Sequence, residues 1–361
     1  MGLSPDLLHL PFLNWLRSIS KSSPPLPYTS PSSTASRQYI LPMALNKLSS
    51  SSSMVPSLSL NKRSSSITSK IPNEGKISDG LPRAFVTLLA GNGDDIMGVV
   101  GLAKGLRKVK TAYPLVVAVL PGVPEEHLQR LESQGCLLRK VQPVYSTQFG
   151  GGNVINFSKL RLWDLDGYEK MIYLDPKVQV YGNIDVLFDY PEGEHLDCGV
   201  LYAVLDCFCE KTSADNPQYN INLCQEELYF NDGMFLFEPS KRTFNYLTET
   251  LELIPPTPTP FAVQGYLNKF FRDVYKPISL IYNLNLPMLW NHSEHVVDVD
   301  KVKVIHYCAK GSLPWRYTGE EENMQREDVK LLVKKWWDVY NDESLDYKPP
   351  AQEDSLELVS L

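Results

Sequence analysis

The sequence is poor in cysteine and contains no Cys-x-x-Cys pair. Its six cysteines are scattered through 361 residues, at positions 136, 198, 207, 209, 224 and 308. A zinc ribbon needs paired cysteines and a small secreted protein needs a disulfide framework, so the sequence indicates neither. This cysteine usage predicts a reducing compartment, the cytoplasm.

A basic excess and a long apolar run are also missing. The chain has 35 Lys and Arg against 42 Asp and Glu, a net charge of −7. Such a chain has no general attraction for nucleic acid or for an anionic membrane surface. Its longest apolar runs have the length of a strand, far below the roughly 20 residues that span a bilayer. We expect neither a nucleic-acid nor a membrane partner, and the sequence indicates no oligomeric state.

Acidic residues are absent between Asp6 and Glu74, a segment rich in serine and proline. This composition buries too little apolar surface to offset the entropy of an ordered chain. We predict a tail over residues 1–80, a folded domain over 81–347 and a second tail over 348–361. Because basic residues lie among the serines, a plastid transit peptide is one alternative, and a wrongly assigned start is another.

Strand-length apolar runs alternate with helical patterns inside the predicted domain. The predicted strands are 83–89, 114–120, 136–141, 171–174, 178–181, 201–205, 229–237 and 302–305. The predicted helices are one that ends at Leu106, then 124–134, 158–165, 264–271 and 327–340, with an irregular stretch up to Val297. This alternation predicts an α/β fold with a mostly parallel central sheet flanked by helices.

An acid follows one of the buried strands directly. The run Met171–Leu174 ends on Asp175, at the place where open α/β sheets bind ligands. A carboxylate there suits a divalent cation that holds phosphate oxygens. Two residues later, however, Lys177 brings a positive charge where a second acid would complete a carboxylate pair. We interpret this region as a nucleotide-sugar site altered at its centre.

The glycine turn after the first strand does not complete a dinucleotide fingerprint. In the pattern G-x-G-x-x-G that begins at Gly91, the third glycine is replaced by Ile96. No acid follows the second strand at the distance that a ribose needs. A nicotinamide-dependent enzyme is therefore disfavoured.

A histidine leaves the last predicted strand beside a second glycine turn. His306 precedes Gly311, and a neutral imidazole is a good ligand for manganese. Together with Asp175 it could form a mixed carboxylate and imidazole site. The alternative is a structural histidine that packs on Trp315.

Longer motifs over residues 83–347 resemble glycosyltransferase family 8, and within it the galactinol synthases. They include residues 98–106, Ser158-Lys159-Leu160-Arg161, 206–212, Phe237-Glu238-Pro239, 314–319, 321–328 and Trp336-Trp337-Asp338. The resemblance implies a GT-A fold and a manganese cofactor. It also implies retaining transfer of galactose from UDP-galactose to myo-inositol, as in the biosynthesis of raffinose-type oligosaccharides.

The same resemblance assigns roles to individual residues. The metal ligands it implies are Asp175 and His306; the catalytic residues are Gln264, Asn231 and Asp206; the substrate-binding residues are Lys159, Asn231, Gly233, Gly311 and Asn92. For Lys159 and Gln264 the alternative is a simple solvent-exposed position on a helix.

Several positions depart from the family pattern. Non-matching residues are Lys177 for the second metal-binding acid, Val263 and Gly265 for two acids, Asp95 for an aromatic residue, Leu313 for a lysine, and Asp232 for a small residue. We therefore expect weakened manganese binding. Two interpretations remain: a galactosyltransferase of altered efficiency, in which Lys177 neutralises diphosphate as a point charge, or a catalytically silent relative that binds a sugar or a partner. The clustered losses favour the silent interpretation for activity.

Overall fold

The computed structural model describes residues 82–146, 157–191, 199–206, 229–253, 262–291, 293 and 298–349. All of these residues belong to one compact unit. Residues 1–81 and 350–361 lie outside the described part, so the two predicted tails and the domain bounds stay predictions.

Among the described residues, ten strands form two sheets. They are β1 Ala84–Leu89, β2 Leu115–Val119, β3 Leu137–Lys140, β4 Met171–Leu174, β5 Val178–Val180, β6 Leu201–Leu205, β7 Phe230–Phe237, β8 Tyr275–Ile278, β9 Leu284–Asn285 and β10 Val304–His306. The larger sheet has seven strands in the order β3-β2-β1-β4-β7-β6-β8, and the smaller has the order β5-β10-β9.

The centre of the large sheet is parallel, as predicted. Strand β1 pairs in parallel with β2 and with β4, in a register that sets Phe85 beside Leu115 and Ala84 beside Met171. All residues of β1, β2 and β4 are buried, which explains their continuous apolar sequences. Strand β7 is antiparallel to β4 and to β6. The predicted α/β fold with a mostly parallel sheet is confirmed.

Six α-helices accompany the sheets in the described part of the chain. They are α1 Asp95–Lys108, α2 Glu125–Ser133, α3 Lys241–Leu251, α4 Ala262–Phe270, α5 Met288–Asn291 and α6 Glu327–Tyr340. Helix α1 packs closely against α6, because a Cβ at Gly101 would lie 2.8 Å from the Trp336 ring. The first turn of α1 also abuts the turn after β4, since a Cβ at Gly98 would lie 2.1 Å from the carbonyl oxygen of Pro176.

The small sheet brings two predicted site residues to one place. Strand β10 is antiparallel to β5 and pairs His306 with Val178, three residues after Asp175. It is also parallel to β9, which pairs His306 with Asn285. The turn after β4 and the end of β10 therefore face the same region.

Two predictions about individual elements were wrong, and one helix was missed. The stretch before Val297 is not irregular, since it contains β8, β9 and α5. Helix α3 was missed, although Ser240 caps it by accepting a hydrogen bond from the Thr243 backbone at 3.4 Å. The predicted helix over 158–165 is a 3-10 helix, Phe157–Asp164. Among the described residues, none of the helices is long and apolar enough to cross a membrane.

Candidate functional site

Asp175 directly follows β4, and both oxygens of its carboxylate accept hydrogen bonds. Its Oδ1 accepts a hydrogen bond from the Lys177 backbone at 3.0 Å, and its Oδ2 accepts one from the Tyr173 hydroxyl at 3.2 Å. Its own backbone N–H donates to the Gly233 carbonyl at 2.9 Å. Burial raises the pKa of Asp175, but the positive charges of Lys159, of His306 in its protonated form at low pH, and of Lys177 outweigh it and lower that pKa overall. The side chain is therefore a carboxylate at neutral pH.

His306 is buried at the end of β10. Its Nδ1 lies 3.2 Å from Oδ1 of Asn231. Burial lowers the pKa of the imidazole despite the opposing attraction of Asp175, so His306 is neutral at pH 7. A Cβ at Gly233 would lie 2.2 Å from Cε1 of His306, so only glycine permits this approach. The structure thus brings Asp175, Gly233 and His306 together, while their functional roles stay predictions.

The three residues predicted to be catalytic form one hydrogen-bonded network. Oδ1 of Asp206 accepts from Nδ2 of Asn231 at 3.2 Å, and Oδ2 accepts from Nε2 of Gln264 at 2.6 Å. Gln264 is buried on α4, so the alternative of an exposed helix position is wrong for it. The network lies beside His306, because Asn231 contacts both Asp206 and the imidazole.

Lys159 is not an exposed helix lysine either. Its ammonium donates to Oδ2 of Asp232 at 2.7 Å and to the Asp232 carbonyl at 3.0 Å. It also lies 4.7 Å from the centre of the Tyr173 ring. Both side chains of the ion pair are largely buried, with 11% and 17% of their surface exposed. Asp232, a departure from the family pattern, is therefore the partner of Lys159.

Two predicted substrate-binding residues stay outside this network. Asn92 is exposed in the turn after β1. Gly311 has a φ of +77°, and a Cβ there would lie 2.6 Å from Cγ of Glu321. The neighbouring Lys310 pairs with Glu321 at 3.0 Å. The substrate-binding roles of Asn92 and Gly311 stay predictions.

Sequence reasoning missed two asparagines of the network. Nδ2 of Asn285 donates to Oδ1 of Asp206 at 2.8 Å, and Nδ2 of Asn283 donates to Oδ1 of Asn231 at 3.0 Å. The two amide oxygens are buried and have no hydrogen-bond partner among the described residues. Alternate residues of an extended segment share a face, so the pattern Asn-Leu-Asn was the available signal.

The described residues do not fit a divalent metal ion. Glycosyltransferases of the GT-A type generally use one. Within residues 82–349, leaving out the undescribed gaps, no three side chains of His, Cys, Asp or Glu converge into a metal site. Asp175 and His306 provide two potential ligands. The positive charge of Lys177 acts on both of them and would repel a metal cation. We therefore assign no step to a metal ion.

Known proteins share both the sequence and the fold. The family described as Glycosyl transferase family 8 matches residues 85–319. Galactinol synthase 1 of Arabidopsis thaliana is 55% identical over 320 residues, covering 82% of this chain and 90% of the relative. Galactinol synthase 2 of Solanum lycopersicum is 58% identical over 286 residues, covering 74% and 82%.

The similarity to solved structures is evidence for the fold and for nothing further, as one example shows. This example is the galactosyltransferase LgtC in complex with donor and acceptor sugar analogues, with a TM-score of 0.50 and 16% identity. The alignment covers 74% of this chain and 98% of LgtC. The family match and the long relatives together decide the classification: the chain belongs to glycosyltransferase family 8.

Proposed function

We propose that the chain binds UDP-galactose and myo-inositol and slowly transfers galactose to the inositol with retention of configuration. The observation that carries this proposal is the network of Asp206, Asn231 and Gln264 beside Asp175 and His306. The names of the relatives support the donor and acceptor, since galactinol is galactosyl myo-inositol.

The network has the chemistry that a polyhydroxy ligand needs. Carboxylate and amide oxygens accept hydrogen bonds from hydroxyls, and amide nitrogens donate to them. The unpartnered buried oxygens of Asn283 and Asn285 provide further acceptors. A buried acceptor without a partner costs free energy, so a sugar hydroxyl that reaches it gains affinity.

The reaction develops negative charge on the departing diphosphate, because the electrons of the broken anomeric C–O bond stay with it. Fixed positive charge stabilises that group. We expect Mn²⁺ to bind Asp175 and His306 only weakly, because the positive charge of Lys177 repels a cation.

A transfer assay on the full chain tests the proposal. Purified protein with UDP-galactose and myo-inositol should release UDP and form galactinol slowly, as measured by anion-exchange chromatography. UDP-glucose with the same acceptor is the matched control and should give less product. Failure to bind UDP-galactose at millimolar concentration, measured by calorimetry, would exclude the proposal.

A second candidate is a sugar-binding protein without turnover. The observation in its favour is the ion pair between Lys159 and Asp232. The resemblance assigns Lys159 to donor binding, and Asp232 already neutralises its charge. Under this candidate, calorimetry detects UDP-galactose binding while no galactinol forms during prolonged incubation. Binding together with product formation excludes it.

For localisation, we propose the cytoplasm, with the plastid as the alternative if residues 1–80 act as a transit peptide. Fluorescent fusions of the full chain and of a chain without these residues decide between the two. Plastid fluorescence of the full-chain fusion, but not of the fusion without residues 1–80, would support the alternative.

A further inference from the structure

Lys159, which lies near Asp175, and two basic residues of the segment after β10 already have an anionic partner. Lys159 pairs with Asp232 at 2.7 Å, and Lys310 pairs with Glu321 at 3.0 Å. Nε of Arg316 donates to the carboxylate of Asp94 at 2.6 Å. The ammonium and guanidinium groups of these residues are therefore neutralised within the protein.

Lys177 differs from these three residues. It is exposed, and within the described residues its ammonium makes no ion pair. Its backbone is nevertheless fixed at both ends, because its N–H donates to Oδ1 of Asp175 at 3.0 Å and its carbonyl accepts from the Tyr307 backbone at 3.0 Å. A lysine is a compact charge on a flexible stem of four carbons. The turn therefore presents a mobile ammonium from a rigid base.

The charge of Lys177 acts on the centre of the site. Burial has the largest effect on the pKa of Asp175 and raises it, whereas Lys159, His306 and Lys177 lower it. The pKa of His306 is lowered mainly by burial and further by Lys177, against the attraction of Asp175. On α1, the charge of Lys177 opposes the rise that burial causes in the pKa of Asp95. One ammonium therefore acts on groups from three elements, β4, β10 and α1.

We propose that Lys177 binds the diphosphate of the nucleotide sugar directly, so that this chain binds its donor without a divalent metal ion. The proposal rests on the proposed function, because it takes a nucleotide diphosphate as the ligand. An ammonium that replaces a carboxylate repels the cation and attracts the phosphate oxygens that the cation would have held. The same substitution thus removes the metal and supplies the positive charge.

Calorimetry with UDP as the probe tests this on the full chain. In EDTA the protein should bind UDP, and Mn²⁺ should change the Kd by less than about threefold. Lys177→Ala should weaken UDP binding in EDTA by at least about tenfold, the effect of losing one charge-assisted hydrogen bond. Lys177→Arg keeps the charge and should retain most of the affinity.

The matched control is Lys334→Ala. Lys334 is exposed on α6 and pairs with Asp338, so its removal changes the net charge equally at another place. It should leave the Kd for UDP unchanged. UMP, which has no second phosphate, should lose less affinity than UDP in Lys177→Ala. Circular dichroism of each variant shows that the fold is retained.

Three outcomes would overturn the proposal. UDP binding by the unaltered chain only in the presence of Mn²⁺ would do so while leaving the proposed transferase function intact. Equal Kd values for Lys177→Ala and Lys334→Ala would do the same. Absence of UDP binding with and without Mn²⁺ would overturn both the inference and the proposed function.

Discussion

Two halves of the site differ in how their polar groups are matched. Around Asp206, amide groups of Asn231, Gln264 and Asn285 donate hydrogen bonds of 3.2, 2.6 and 2.8 Å to one carboxylate. Around Asp175, the balance of charge is different, because Lys177 follows it without an ion pair of its own. We call the group around Asp206 the sugar-facing half and the group around Asp175 the phosphate-facing half, after the ligands that we propose for them. Hydrogen-bonding amides surround the carboxylate of the first half, whereas the second half carries an additional positive charge at Lys177.

The largest effect is expected where the two halves meet, at Gly233. Gly233→Ala places a methyl group 2.2 Å from His306, so His306 or the Asn231 loop must move. Because a displacement of about 1 Å can cost about 100-fold in rate, galactosyl transfer should fall by at least that factor. Gly167→Ala, where nothing lies within 4 Å of the added Cβ, is the control and should retain activity. Full activity of Gly233→Ala would show that the halves are independent.

Asp206→Asn tests the sugar-facing half alone. The NH₂ group of the new amide replaces one carboxylate oxygen and faces either Gln264 or the pair Asn231 and Asn285, so buried donors lose their acceptor. Unfolding free energy should fall by about 1–3 kcal/mol in chemical denaturation, and transfer should fall by about 10- to 100-fold. The exposed Asp166→Asn removes the same charge and should change neither quantity. UDP affinity should be unaffected, and its loss would contradict the division into halves.

Lys177→Asp tests the phosphate-facing half by restoring an acid. Carboxylates are preferred ligands of hard divalent ions. Mn²⁺ should then strengthen UDP binding by about tenfold or more, while in EDTA the variant should bind UDP more weakly than the unaltered chain. Calorimetry with and without Mn²⁺ measures both. A variant that ignores Mn²⁺ would show that other residues prevent metal binding.

Asp232→Asn should have a smaller effect of opposite sign. It frees Lys159 from its ion pair, so that the ammonium becomes available to an anionic ligand. We expect UDP affinity to rise by about threefold, while the lost pair lowers the unfolding free energy by about 1–3 kcal/mol. In the double variant Lys159→Met with Asp232→Asn the gain in affinity should disappear. A gain that persists would exclude Lys159 as its cause.

The smallest effect concerns pH. The folded-state pKa of His306 is lowered, mainly by burial, so its contribution to stability is present above the unfolded pKa and is lost as pH falls toward the folded pKa. The Tm should therefore decrease between about pH 7 and about pH 5.5, below the unfolded pKa of about 6.5. His306→Gln should show a smaller decrease over this range. Identical pH profiles would mean that His306 does not titrate.

The sequence predicted the parts of the fold that have strong periodic signals. The buried parallel strands β1, β2 and β4 and helix α6 agree with their predicted positions to within a residue or two. Strands β8 and β9 were missed because they are only four and two residues long and β8 contains Pro277, which disfavours a strand prediction. Short length and an unfavourable composition together limited the prediction there.

Candidate site residues could be proposed where a residue type was unusual for its place. Asp175 after a buried strand and His306 after another were proposed in this way, and their roles stay predictions. The Lys159–Asp232 pair was not, because 73 residues separate its members and only the folded chain brings them together. Asn283 and Asn285 lie in the stretch that was predicted to be irregular, and only the pairing of β9 with β10 shows that Asn285 lies beside His306.

The close fit between Gly98 and Pro176 has a consequence for every experiment at position 177. The backbone of α1 at Gly98 packs directly against the carbonyl group of Pro176, so the peptide before Lys177 cannot move toward the helix. Gly98 has no side chain that could change its rotamer to make room. A substitution at position 177 therefore changes the side chain while the backbone stays fixed. Its effect on ligand affinity then reflects the chemistry of the new side chain and not a rearrangement of the loop.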